Sequence, residues 1–85
     1  EVRTIKEIRE VLVVGGCQRI MLDNFLPKDI KEAISLIEGK MEIEASGGIS
    51  EHNLREYAET GVDFISLGAL THSAGSLDLS LKIIS

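Results

Sequence analysis

The apolar positions of this chain change period as they run. Ile5, Ile8, Val11 and Leu12 recur at helical spacing behind Thr4, and Glu7 completes a capping-box signature three residues after it. Gly15 or Gly16 is expected to stop that helix, although Val11 to Val14 also carry strand propensity. RIMLD, Arg19 to Asp23, then reads as a short and mostly buried strand. Pro27 suits a first helical position and Asp29 a first turn. Ile30, Ala33, Ile34 and Ile37 form the next apolar stripe, which Gly39 is expected to end. MEIEA, Met41 to Ala45, is a second strand. Ser50 is a natural N-cap for a helix that buries Leu54, Tyr57 and Ala58 and stops at Gly61. DFISL, Asp63 to Leu67, is a third strand, and LDLSLKII fits a final strand or a short helix equally well.

Helix and strand therefore alternate at a repeat of roughly 22 residues, the order that builds a parallel sheet through crossover connections. The fold class is α/β, with parallel βα repeats. A half-barrel or a small doubly wound sheet could both follow from the pattern. A whole (β/α) barrel needs about eight strands and ~250 residues, so 85 residues cannot close one. One domain, residues 1–85, is the expected organisation.

Composition narrows the function. One Tyr and two Phe are the only aromatic residues, so the core must be aliphatic. A net charge of −5, with the nine Lys and Arg residues forming no run, argues against nucleic acid or an anionic membrane as partner. No apolar run approaches the ~18 residues of a membrane span. The single Cys17 excludes an internal disulfide and a cysteine metal cluster, which suits a reducing cytoplasm.

Parallel βα units place the C-terminal ends of all their strands on one rim, where ligands bind. Asp23 and Asn24, then Ser46, Gly47 and Gly48, then Gly68 and Ala69 are expected there. A helix starting near Ser50 would aim free N–H groups at the Gly47–Gly48 turn, a physical basis for holding an anion. The same glycines also make an ordinary connector. Asp23 can cap its own turn or offer a carboxylate to a metal ion or sugar hydroxyls. Glu42 and Glu44 share one side of their strand and would need partners if enclosed. Glu44 is the nearer of the two to the rim. His52 belongs to a polar helix face. His72, in GALTHS, lies near the rim. No GxGxxG, P-loop or nucleophile–base–acid set is present.

IMLDN (Ile20 to Asn24), EASGGI (Glu44 to Ile49), REYAETGVDFIS (Arg55 to Ser66), GALTHS (Gly68 to Ser73) and LDLSLKI (Leu77 to Ile83) occur in one register. Together they resemble the C-terminal part of the quinolinate phosphoribosyltransferase family, the carboxylating nicotinate-nucleotide pyrophosphorylases, over essentially the whole chain. The resemblance implies the C-terminal part of a TIM-like open α/β barrel, with the N-terminal domain and early barrel strands outside these residues. It implies transfer of phosphoribosyl from phosphoribosyl pyrophosphate to quinolinate with Mg²⁺, giving nicotinate mononucleotide, pyrophosphate and CO₂ for NAD synthesis, in a homo-oligomer (dimer or hexamer).

Residue by residue, Glu1 and Asp23 match the acidic pair facing the ribose and the metal-pyrophosphate region, and are the candidate catalytic and metal-binding residues. Ser46, Gly47 and Gly48 match the loop on the 5′-phosphate, Gly68 and Ala69 its neighbour, and His72 the phosphate-side loop. The cationic set that grips quinolinate in the family has no match here, so the 85 residues alone are expected to be inactive. VVGGCQ, Val13 to Gln18, departs from the Ala-rich helix end usual in the family. The alternatives are a related phosphoribosyltransferase-like homologue and a non-catalytic phosphate-binding βα module.

Overall fold

The computed structural model describes residues 1–67 and 79–83. In chain order the elements are α1 (Ile5–Val14), β1 (Arg19–Asp23), α2 (Pro27–Ile37), β2 (Glu42–Ser46), α3 (Leu54–Ala58), β3 (Phe64–Leu67) and β4 (Leu79–Lys82). One half of the capping box forms as expected, the Thr4 hydroxyl accepting from the Glu7 N–H at 3.2 Å, while Glu7 Oε1 reaches one residue further back and takes the Arg3 N–H at 3.0 Å. The helix runs on through Val14 in spite of its β-branched residues, and Gly15 closes it by donating to the Val11 carbonyl at 2.8 Å. Val13 and Val14 are left exposed at that end. In α2 it is Glu38, one residue before the expected Gly39, that first turns left-handed.

The sheet has the order β1-β2-β3-β4. β1, β2 and β3 are parallel, as the βα alternation requires. The tail resolves as a strand, and β4 runs antiparallel to β3. Val2 adds a parallel bridge to Leu22, extending the sheet one step beyond β1. β2 starts one residue later than expected, at Glu42, because the Glu42 N–H joins the ladder at the Gln18 carbonyl (2.9 Å).

Strand alternation sorts the two faces. Ile20, Leu22, Ile43, Ala45, Ile65 and Leu67 are buried with Ile8, Ile30, Ala33, Ile37 and Tyr57, which makes the aliphatic core lie between sheet and helices. The opposite face carries Arg19, Met21, Asp23, Glu42, Glu44, Ser46, Phe64 and Ser66. Two polar contacts fix elements beneath the rim. Asp63 receives the Ile43 N–H on its carboxylate at 2.8 Å, tying β2 to the start of β3. The buried Tyr57 hydroxyl donates to the Phe25 carbonyl at 2.9 Å, tying α3 to the loop after β1. Tyr57→Phe leaves that carbonyl without its donor. It is expected to destabilise the protein by about 1 to 2 kcal/mol, read as a lower denaturant midpoint at unchanged slope.

Candidate functional site at the strand rim

Asp23 and Ser46 are direct partners in the β1–β2 register, so the last residue of each strand meets the other at the rim. The Ser46 hydroxyl donates to Asp23 Oδ1 at 3.5 Å, and Arg3 Nε lies 3.2 Å from Asp23 Oδ2. Both carboxylate oxygens are thus engaged, which sets the plane of a side chain that is only 15% exposed. The chain leaves β1 through Asn24, whose left-handed φ of 61° suits asparagine and lets its N–H reach the Ser46 carbonyl at 2.9 Å.

Beside this corner the chain turns through Gly47 and Gly48, both left-handed, at φ 84° and 69°. A Cβ on Gly47 would stand 2.6 Å from Asn24 Oδ1, 2.7 Å from Asp23 Oδ1 and 2.9 Å from the Asn24 nitrogen. Glycine is therefore required twice over at that position, by its dihedral angle and by the space. Asn53 closes the loop: its Oδ1 accepts the Ser50 N–H at 2.8 Å and its Nδ2 donates to the Gly48 carbonyl at 2.9 Å. Among the described residues, the N–H groups of Gly47, Gly48 and Ile49 meet no acceptor. They border an open cavity of roughly 560 Å³ lined by Met21, Asp23, Ser46, Gly47, Gly48, Ile49, Ser50 and Ser66.

The expected helix start at Ser50 is corrected. Ser50 caps a turn, accepting the His52 N–H at 3.3 Å, and α3 begins only at Leu54. Asn53 bonding back across the loop holds these residues out of helical geometry. The anion-binding capacity of the site therefore rests on the loop N–H groups and not on a helix dipole. His52 is exposed, as its polar surroundings suggested.

Asp23, Ser46, Gly47 and Gly48 are brought together. Glu1 is exposed, next to the Val2 bridge. Gly68, Ala69 and His72 lie outside the described residues. Glu44 is buried and paired, with Arg19 Nη1 at 3.5 Å, while Arg19 Nη2 meets Glu42 at 3.4 Å and its guanidinium stacks 3.7 Å above the Phe64 ring. That cation–carboxylate cluster explains how two acidic residues share one sheet face. Asn24 lies at the rim beside Asp23, where the topology had put it, its N–H on the Ser46 carbonyl. Arg3 and Asn53 were not anticipated as site residues. Asn53 had a signal, an asparagine three residues past a turn-capping serine. Arg3 had none.

No group of three or more His, Cys, Asp or Glu residues is arranged to hold a metal ion among the described residues. A single rim carboxylate does fit Mg²⁺ that arrives with a phosphorylated substrate, since that ion commonly takes one or two carboxylates and completes its shell with phosphate oxygens and water. No helix among the described residues is long and apolar enough to cross a membrane.

Residues 1–82 match the family model described as quinolinate phosphoribosyl transferase, C-terminal domain. The chain is 50% identical over 91 residues to a protein of Methanocaldococcus jannaschii named as a probable nicotinate-nucleotide pyrophosphorylase (carboxylating), covering 99% of this chain and 32% of that one. It is 43% identical over 97 residues to the mitochondrial quinolinate phosphoribosyltransferase (decarboxylating) 2 of Nicotiana glauca, covering 98% and 28%. The chain thus spans about a third of the length of the curated relatives it matches. Among solved structures, the nicotinate-nucleotide pyrophosphorylase of Francisella tularensis superposes with a TM-score of 0.75 at 34% identity, over 94% of this chain and 29% of that one. With the family model matched from Glu1 to Lys82, this chain belongs to the quinolinate phosphoribosyl transferase family, in its C-terminal domain.

Proposed function

We propose that the chain forms the phosphoribosyl half of the active site of an enzyme converting quinolinate and phosphoribosyl pyrophosphate to nicotinate mononucleotide, pyrophosphate and CO₂. Residues 1–85 are then the C-terminal portion of the barrel domain, and a homo-oligomeric, cytoplasmic enzyme is the setting we propose for it. The observation that carries this reading is the joining of Asp23 and the Gly47–Gly48 loop around one cavity, in a chain whose relatives are named phosphoribosyltransferases.

The loop N–H groups would hold the donor's 5′-phosphate, and the Ser46 hydroxyl would turn its one proton from Asp23 to the phosphate when the donor binds, with Gly68, Ala69 and His72 assigned to the same end through the family resemblance. Holding the phosphate fixes the ribose and so presents C1 in one orientation. Departure of pyrophosphate builds positive charge on the ring, which the Asp23 carboxylate, and Glu1 with it, would stabilise electrostatically. Mg²⁺, when bound, neutralises the departing pyrophosphate; Asp23 is the residue here that would touch it and Glu1 a second candidate. Quinolinate's two carboxylates need cations, and the cavity lining among the described residues has none. The acceptor is therefore held by residues from elsewhere in the enzyme.

The test is turnover by the full-length protein with quinolinate, phosphoribosyl pyrophosphate and Mg²⁺, following nicotinate mononucleotide and CO₂. Ser46→Ala should raise KM for the donor by about tenfold, the scale of one charge-assisted hydrogen bond, with little change for quinolinate. Product from nicotinate but not from quinolinate would instead indicate a related phosphoribosyltransferase. Donor binding without turnover of either acceptor would leave a non-catalytic phosphate-binding unit.

A further inference from the structure

Two arginines stand on the polar side of the sheet, and they differ in what they have left to offer. Arg19 spends both terminal nitrogens on Glu42 and Glu44 and its flat face on Phe64. Arg3 contacts Asp23 through Nε alone, and its side chain is 72% exposed. Among the described residues no acceptor meets its two terminal nitrogens. A guanidinium held by Nε at a carboxylate and open at its fork is suited to a phosphate group, which it can grip with two parallel N–H donors.

Its backbone is also fixed. The Arg3 N–H donates to Glu7 Oε1 at 3.0 Å, and Val2 beside it bridges to β1 through N–H to the Met21 carbonyl (2.8 Å) and carbonyl to the Asp23 N–H (2.9 Å). The rim therefore runs in the order Gly47–Gly48, Asp23, Arg3, one strand position per step. Neighbouring strands lie about 4.8 Å apart, so the two steps span about 10 Å. That is the reach of a ribose carrying a phosphate at each end. With the 5′-phosphate on the glycine loop and the ring over Asp23, the group on C1 falls beside Arg3.

Resting on the phosphoribosyltransferase reading above, we propose that Arg3 binds the pyrophosphate of the donor and meets its growing charge as it leaves. The C1–O bond breaks with its electron pair passing to the pyrophosphate oxygen, while the acceptor's ring nitrogen supplies the pair for the new C1–N bond. The Arg3 fork is aimed at the oxygen atoms that gain charge, and Asp23 keeps it there. Arg3 in turn holds Asp23 in plane, so the same contact orders both.

The experiment measures calorimetric binding of inorganic pyrophosphate and, separately, ribose 5-phosphate to the full-length protein at one fixed Mg²⁺ concentration. Wild type, Arg3→Ala and Arg3→Lys are compared. Arg3→Ala should weaken pyrophosphate by roughly tenfold or more and leave ribose 5-phosphate within about twofold, with Arg3→Lys between because it keeps the charge and loses the fork. Unchanged pyrophosphate affinity in Arg3→Ala would overturn the proposal. So would an equal loss for both ligands, which would mean that Arg3 only holds Asp23 in place. No acceptor enters these titrations, so a wild-type protein that shows the pyrophosphate contrast yet fails to turn over quinolinate would sink the acceptor assignment and leave Arg3's role standing.

Discussion

Gly47→Ala is expected to lower kcat/KM for the phosphoribosyl donor by about a hundredfold or more, because misplacing a positioning group by roughly 1 Å costs on that scale. The added Cβ would sit within 3 Å of three atoms, one of them the Asn24 backbone nitrogen and another the Asp23 carboxylate oxygen. Backbone cannot yield as the tip of a flexible side chain does, so the loop must move off β1 or push Asp23 aside. Either motion separates the phosphate cradle from the carboxylate. The left-handed dihedral adds a further cost of about 1 to 2 kcal/mol to stability. Gly39→Ala provides the control: its φ is 75°, yet a Cβ there meets nothing within 4 Å. It should show the dihedral penalty in thermal unfolding and keep its activity. If both variants lose activity equally, destabilisation and not site geometry is responsible, and the cradle argument fails.

The fold was legible because its elements are separated by unambiguous punctuation. Thr4 with Glu7, Pro27 and the strand-like run Arg19 to Asp23 each give a local reason for the element found there; β1 matches its expected bounds and α2 starts at Pro27 as expected. The third helix was misplaced for an equally local reason. Ser50 offers a hydroxyl to a nearby N–H whether a helix or a turn follows, and only the side chain of Asn53, bonding back to Ser50 and Gly48, decides for the turn. The direction of β4 could not be read either, since strand propensity carries no orientation.

The site divides in the same way. Asp23, Ser46 and the glycines were visible because rim position follows from topology. Arg3 was hidden because it precedes the first helix, and nothing in EVRT says that Val2 will bridge to Leu22 and bring Arg3 beside Asp23. The buried Glu44 shows the limit of reading chemistry from residue type. An acidic residue near a rim invites a catalytic role, but Arg19, 25 residues earlier in the chain, takes up its charge.

Asp23→Asn should reduce kcat by about a hundred- to a thousandfold with a much smaller change in the donor's KM, the pattern for losing a charge that matters most in the transition state. The substitution keeps shape and keeps an oxygen for the Ser46 hydroxyl, so the rim should hold its geometry. The lost pairing with Arg3 is worth little to stability, about 1 kcal/mol or less, because that arginine is mostly solvated. Retention of kcat within a few-fold of wild type would remove Asp23 from the reacting centre and leave it a structural clasp between β1 and β2. Combining Asp23→Asn with Arg3→Ala separates the two residues' contributions. If Arg3 serves only to orient the carboxylate, the double variant should be no slower than Asp23→Asn, because nothing charged remains to orient. If Arg3 also meets the departing pyrophosphate, the double variant should lose a further factor of up to roughly ten, since the guanidinium, though no longer anchored by the Asp23 carboxylate, still brings its charge and donors to the leaving group until Arg3→Ala removes them.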